Sequence, residues 1–403
     1  MFKRSRAMEA CAKEEEIQDM DETQVKMNDP FLEVLIPEGE PTIFSAIRYG
    51  DNDMVDRQLR QGIDLNEKFG GGTYRVKNNA MAHRVQTSHY AALHLASLHS
   101  TCEALRLLLE HGANINILDE QQRTPLHFAV VACRISVIKF LILKGANIDV
   151  QSSSGRTPLL ESVINGSYSI ARIFIDAGAQ LDLMDTKGTS VLHQLCFSRD
   201  PNMDMIRLVL EKKCNPNIAN LKGGTPLMFA SAMKRHFSVE LINLLLENGA
   251  DINLTDKNGR SAIHFAVEHK STFRGLVNIL LFLIQHGASI NTPDKSGKLV
   301  LDHAMKTMAL STVKCLLCVD CPRDVSYIME HPQIIYLCEH VPDFKQWLIE
   351  ELYTPRSLMR LCRSTVRASL SPNNLTNVHM LDIPRQLQDF ILCRDIRGQD
   401  ILT

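Results

Sequence analysis

The sequence predicts an all-α solenoid of stacked helix-turn-helix units. Three observations carry that prediction. An opening phrase, Thr124-Pro125-Leu126-His127-Phe128-Ala129, recurs as Thr157-Pro158-Leu159, Thr225-Pro226-Leu227 and Ser261-Ala262-Ile263-His264. A closing phrase, Gly145-Ala146-Asn147-Ile148-Asp149, recurs as Gly112-Ala113-Asn114-Ile115-Asn116, Gly249-Ala250-Asp251-Ile252-Asn253 and Gly287-Ala288-Ser289-Ile290-Asn291. Openings at Ala91, Thr124, Thr157, Ser190, Thr225, Ser261 and Leu299 stand 33, 33, 33, 35, 36 and 38 residues apart. A fixed period of this length marks units that cannot bury their own apolar face and must stack on neighbours.

Within one unit the local physics is legible. Thr124 suits a helix N-cap, and Pro125 suits the first turn, where no backbone donor is lost. Leu126, Ala129 and Val130 fall on one helical face. Ala129 is small enough to let a second helix approach. Val137, Ile138, Leu141 and Ile142 form the apolar stripe of that second helix. Gly145 ends it, because glycine tolerates a positive φ. Phrases and period together resemble the ankyrin repeat. That resemblance implies paired helices joined by β-hairpin loops. It also implies that the recurring His94, His127, His193 and His264 are structural and bridge neighbouring loops.

Taken in order, residues 1–40 carry charge without periodicity and read as a disordered tail. Residues 41–66 form a degenerate repeat in which Ala46, Gly50, Val55, Leu59, Gly62 and Asp64 hold the expected places. Residues 67–90, with a glycine run and two asparagines, read as a loop insertion. About seven repeats occupy 91–321. The later copies lengthen between their helices, near 198–202, 233–238 and 269–274. Residues 322–353 read as a helical connector broken at Pro332 and Pro342. Residues 354–403 form a separate small helical module.

Composition sets limits. Of 403 residues, 45% are hydrophobic and 22% charged, with a formal net charge of -2, which is ordinary for a folded protein. A strongly basic nucleic-acid footprint is absent. The N-terminus lacks an apolar core and does not read as a secretory signal. The longest apolar run, Leu276 to Ile284, contains Asn278 and is too short to span a bilayer. Eleven cysteines without an export signal fit reduced thiols in the cytosol or nucleus.

The C-terminal module opens with Thr354-Pro355, a helix start. Leu358, Leu361, Cys362, Thr365 and Val366 share one side of the helix, and Arg356, Arg360, Arg363 and Arg367 the other. A two-faced helix of this kind packs on its own domain or enters a partner's groove. Residues 357–366 resemble the elongin-binding box of the SOCS-box family, with Leu358, Cys362 and Val366 at the family's key places. Leu381-Asp382-Ile383-Pro384, Leu387 and Phe390 resemble its cullin box, with Asp382 in place of a proline and Phe390 in place of a tyrosine. Following a repeat array, this module makes the chain similar to the ankyrin-repeat and SOCS-box family. The resemblance implies elongin C binding, with elongin B, through Leu358, Leu361, Cys362 and Val366. It implies a cullin contact through Ile383, Pro384, Leu387 and Phe390.

Other candidate chemistry is weaker. Cys315, Cys318 and Cys321 invite a zinc reading that Cys338, His331 and His340 could complete. Three thiols at this spacing also suit a buried helical face, and Cys315 sits at a core position. Gly70-Gly71-Gly72 lacks the lysine and hydroxyl of a phosphate loop. The chain therefore reads as a non-enzyme with no cofactor. In the ankyrin family, the second residue after the alanine of the opening phrase often faces the concave side. Here those residues are Leu98, Val131, Ile164 and Phe197, then Ala232, Glu268 and Lys306. The apolar run of four predicts a target groove. Burial of the same four side chains by their neighbours or by the 67–90 loop is the alternative. The function expected is substrate recognition for an elongin–cullin ubiquitin ligase. The competing expectation is a plain ankyrin scaffold whose last helices only cap the array.

Overall fold

A computed structural model of the chain describes residues 32–34, 42–69, 72–76, 83–87, 89–98, 102–198, 200–233, 237–268, 275–307, 309–319, 325–341 and 343–353. It is mostly helical, with nineteen helices among the described residues. The chain divides into two compact units, Met1–Val191 and Leu192–Thr403.

The opening phrase forms a helix of about two turns each time it occurs. In the first unit these inner helices are α3 (Ala92–Leu98), α5 (Pro125–Val131) and α7 (Pro158–Ile164). Thr157 Oγ1 accepts from Leu160 N at 3.2 Å, the first-turn cap that its hydroxyl predicts. Every residue of α3 is buried, as are Leu126, Ala129 and Val130 of α5. Each inner helix is followed by an outer one: α4 (Cys102–Glu110), α6 (Ile135–Leu143) and α8 (Tyr168–Asp176). Val137, Ile138 and Leu141 of α6 are buried, while Ile142 is half-buried and Leu143 is 85% exposed. The fully buried stripe therefore ends at Leu141, one residue earlier than its pattern suggests. Each fully buried aliphatic side chain contributes about 1.5–3 kcal/mol.

The degenerate first repeat is α1 (Thr42–Tyr49) and α2 (Asn52–Arg60), with Ala46, Val55 and Leu59 buried. Inner helices α1, α3, α5 and α7 pack in succession, as do outer helices α2, α4 and α6. Residues 67–90, expected as a loop, instead carry two antiparallel strands, β2 (Gly72–Val76) and β3 (His83–Thr87). A third strand, β1 (Leu32–Val34), lies in the segment expected as a tail and pairs with β2. Thr, Tyr and Val favour strands, but the neighbouring glycines and asparagines hide so short a run, and its partner is remote in sequence. The base of the insertion is closed by a Phe69–Tyr90 bridge with both backbone bonds at 3.0 Å. Phe44 packs against both rings at 5.6 Å.

The second unit repeats the plan. Its inner helices are α9 (Val191–Phe197), which begins at the last residue of the first unit, α11 (Pro226–Ala232), α13 (Ala262–Val267) and α15 (Val300–Thr307). Its outer helices are α10 (Met203–Glu211), α12 (Ser238–Glu247), α14 (Leu276–Gln285) and α16 (Leu310–Cys318). Leu276 to Ile284 is thus an outer helix, with seven of its residues buried. No helix among the described residues is long and apolar enough to cross a membrane. Three short helices follow: α17 (Val325–Glu330), α18 (Pro332–His340) and α19 (Phe344–Tyr353).

Candidate functional site

Several of the fingers between successive repeats are tied across the tip by one polar side chain. Asp119 Oδ1 accepts from Arg123 N at 2.7 Å, Asn220 Oδ1 from Gly224 N at 2.9 Å, Asp256 Oδ1 from Arg260 N at 2.9 Å and Asp294 Oδ1 from Lys298 N at 2.9 Å. Such a turn-spanning acceptor fixes a tight tip without regular pairing. Burial alone would raise the Asp256 carboxyl, but the Arg260 guanidinium and backbone donors hold it below its ordinary value. Asp294 is held well below the carboxylate range against burial by Ser296, the Lys298 amide and His303.

Neighbouring fingers are bonded to one another. Ser153 N donates to Gln121 O at 2.7 Å and Thr186 N to Ser154 O at 3.0 Å in the first unit. Lys257 N donates to Lys222 O at 2.9 Å and Lys295 N to Asn258 O at 2.8 Å in the second. The recurring histidines bind the same joints. His127 Nδ1 accepts from Thr124 N at 3.1 Å, so the proton sits on Nε2, which donates to Arg156 O at 3.0 Å. His94 repeats this with Ala91 N and Arg123 O, and His193 Nε2 reaches Gly224 O at 2.9 Å. His264 departs from the series. Its Nδ1 accepts from Ser261 N at 3.2 Å, but its buried Nε2 has no hydrogen-bond partner. The His303 ring stands 5.7 Å away, and His303 Nε2 bonds Asp294 Oδ2 at 3.0 Å instead.

The four predicted groove residues differ in burial. Leu98 is fully buried. It ends α3, which is enclosed by α1, α4 and α5, so no face is left open. Leu98 is therefore core, a correction to the groove expectation. Val131 and Ile164 are half-buried in the first unit. Phe197, in the second, is 59% exposed, with its ring edge-to-face on Phe229 at 5.9 Å. The next positions, Ala232 and Glu268, are half-buried, and Lys306 is exposed. Burial of an inner-helix end depends on what packs beside it, which the period alone does not specify.

Cys315 is buried in α16 and Cys318 is half-buried, while Cys321 lies outside the described residues. Among the described residues no three His, Cys, Asp or Glu side chains gather to hold a metal ion. Leu358, Leu361, Cys362, Val366, Ile383, Pro384, Leu387 and Phe390 also lie outside the described residues. Sequence reasoning missed one surface feature: lysines at Lys222, Lys257 and Lys295 on successive fingertips, all exposed. A lysine within each of three successive fingers is readable in the sequence.

Comparison with known families accounts for both parts of the chain. The description "Ankyrin repeats (3 copies)" matches residues 43–152, 93–185, 131–220, 159–256 and 227–326. "SOCS box" matches residues 354–392. Among curated proteins none matches the chain. Both matched modules are interaction modules rather than catalytic ones. With ankyrin repeats over most of its length and a SOCS box near its C-terminus, the chain belongs to the ankyrin-repeat and SOCS-box family.

Proposed function

We propose that this chain is the substrate-recognition subunit of an elongin–cullin RING ubiquitin ligase. The observation that carries the reading is the SOCS-box match at 354–392, which begins directly after α19 ends at Tyr353. In this reading the ankyrin array holds a target protein. The SOCS-box segment presents Leu358, Leu361, Cys362 and Val366 to elongin C, accompanied by elongin B. Ile383, Pro384, Leu387 and Phe390 meet the cullin. Val131, Ile164 and Phe197 contribute to target binding, each within its own unit. The chain binds and positions, and ubiquitin transfer is done by other subunits in the cytosol or nucleus.

Buried apolar anchors at such interfaces are worth about 2 kcal/mol or more each. Replacing both Leu358→Ala and Cys362→Ala in the full chain should abolish co-purification with elongins B and C. The array should keep its melting transition, because the replaced residues follow its last helix. Undiminished elongin binding by the double variant would overturn the reading and leave a plain ankyrin scaffold.

A further inference from the structure

The fingertips of the second unit carry a row of cations. Lys222, Lys257 and Lys295 occupy successive tips, and Lys298 follows on the last; all four are exposed. The backbone bonds from Lys257 N to Lys222 O and from Lys295 N to Asn258 O hold these tips side by side. The acidic groups of the fingers do not neutralise them. Asp256 turns inward onto its own amides and Arg260, and Asp294 onto Ser296, Lys298 N and His303. Glu268 is taken by Arg260. None of the four ammonium groups has an acidic partner among the described residues.

Single exposed lysines are ordinary, and the whole chain is slightly acidic. The row differs in two ways. It places a lysine on each of three successive tips, whereas the tips at 119–123 and 152–156 of the first unit contain none and the tip at 185–189 carries Lys187. It also adjoins exposed apolar groups. Leu221, beside Lys222, is 61% exposed, and Phe197 is 59% exposed. The Phe229 ring that supports Phe197 lies against the base of the same finger, where a Cβ on Gly224 would stand 3.3 Å from it.

We propose that Lys222, Lys257, Lys295 and Lys298, together with Leu221 and Phe197, dock an acidic segment of the target protein that carries apolar side chains. This rests on the adaptor reading and names the chemistry of its target. Fixed cations steer and orient an anionic segment, and exposed apolar side chains anchor it. A single-stranded nucleic acid is disfavoured, because successive bases need several aromatic platforms, and beside these lysines the described residues expose one large aromatic ring, Phe197, set edge-to-face on Phe229 at 86°.

The test uses the full chain co-expressed with elongins B and C. A displayed library of random short peptides is selected on it, and selected peptides are titrated by fluorescence anisotropy. The peptides should combine Asp or Glu with Phe, Leu or Ile, and added salt should weaken them. The triple variant Lys222→Glu, Lys257→Glu, Lys295→Glu should raise their Kd about tenfold or more. Its melting transition should not move, since the three side chains are exposed. A Phe197→Ser variant should weaken the same peptides without changing their salt dependence. Selected peptides that are neutral or basic, acidic peptides indifferent to the reversal, or an empty selection would each overturn the proposal. So would a mixed-sequence single-stranded RNA that binds more tightly than the peptides and is lost on the same reversal. Elongin co-purification is scored on the same preparations, so loss of the adaptor reading registers separately.

Discussion

His127 Nε2 donates to the carbonyl oxygen of Arg156 at 3.0 Å, across 29 residues of sequence. The bond joins the inner helix of one repeat to the finger of the next. It works only with a neutral ring, because Nδ1 must accept from Thr124 N. Burial supplies that state, pushing His94, His127 and His264 down to about 4.

The array should accordingly be acid-labile in a defined window. An unfolded histidine titrates near about 6.5, so between about 6.5 and about 4 the unfolded chain binds more protons than the folded one. Stability is complete above the upper value and falls as pH drops through the window. The depressed Asp256 and Asp294 act only below it. Melting temperature should decline from about pH 7 to about pH 5, and His127→Gln, which keeps an acceptor at that helix position, should flatten the slope. A slope unchanged by the substitution would show that His127 does not titrate with unfolding.

Gly155 and Gly145 should respond differently to alanine. Both have positive φ, +75° and +84°. A Cβ on Gly155 would lie 2.7 Å from Thr186 N and 2.9 Å from Asp185 C, whereas one on Gly145 meets open space. Gly145→Ala should cost about 1–2 kcal/mol from backbone strain alone. Gly155→Ala should cost more, because the next finger must move. Urea titration compares them, and equal costs would mean the two fingers are not stacked.

Leu98 and Phe197 share a repeat position but not an environment. Leu98→Asp places a charge in a fully buried site and should cost about 3 kcal/mol or more. Phe197→Asp should change stability by about 1 kcal/mol or less, yet weaken target capture. Chemical denaturation and binding on the same two variants separate core from surface. A comparable loss of stability in both would remove Phe197 from the interface.

Asp382 stands where the cullin box resembled here has a proline. We expect Asp382→Pro to tighten cullin binding, because proline pre-sets the backbone ahead of Pro384. Titrating a reconstituted elongin complex with the cullin tests this, and an unchanged Kd would dismiss it.

The repeat period alone determined a great deal. Thr124, Thr157, Thr225 and Ser261 each cap a helix, as their phrase requires, and the chain-end box was legible from Leu358, Cys362 and Val366. These features are local: capping, helical spacing and a short motif depend on residues a few positions apart. Tertiary structure decided the rest. It made Leu98 core and left Phe197 exposed, gave the 67–90 segment a strand partner from residues 32–34, and withheld from His264 the carbonyl that its counterparts bind. Each outcome depends on groups brought together from distant parts of the chain. A period specifies that repeats stack, but not which side chains their neighbours cover.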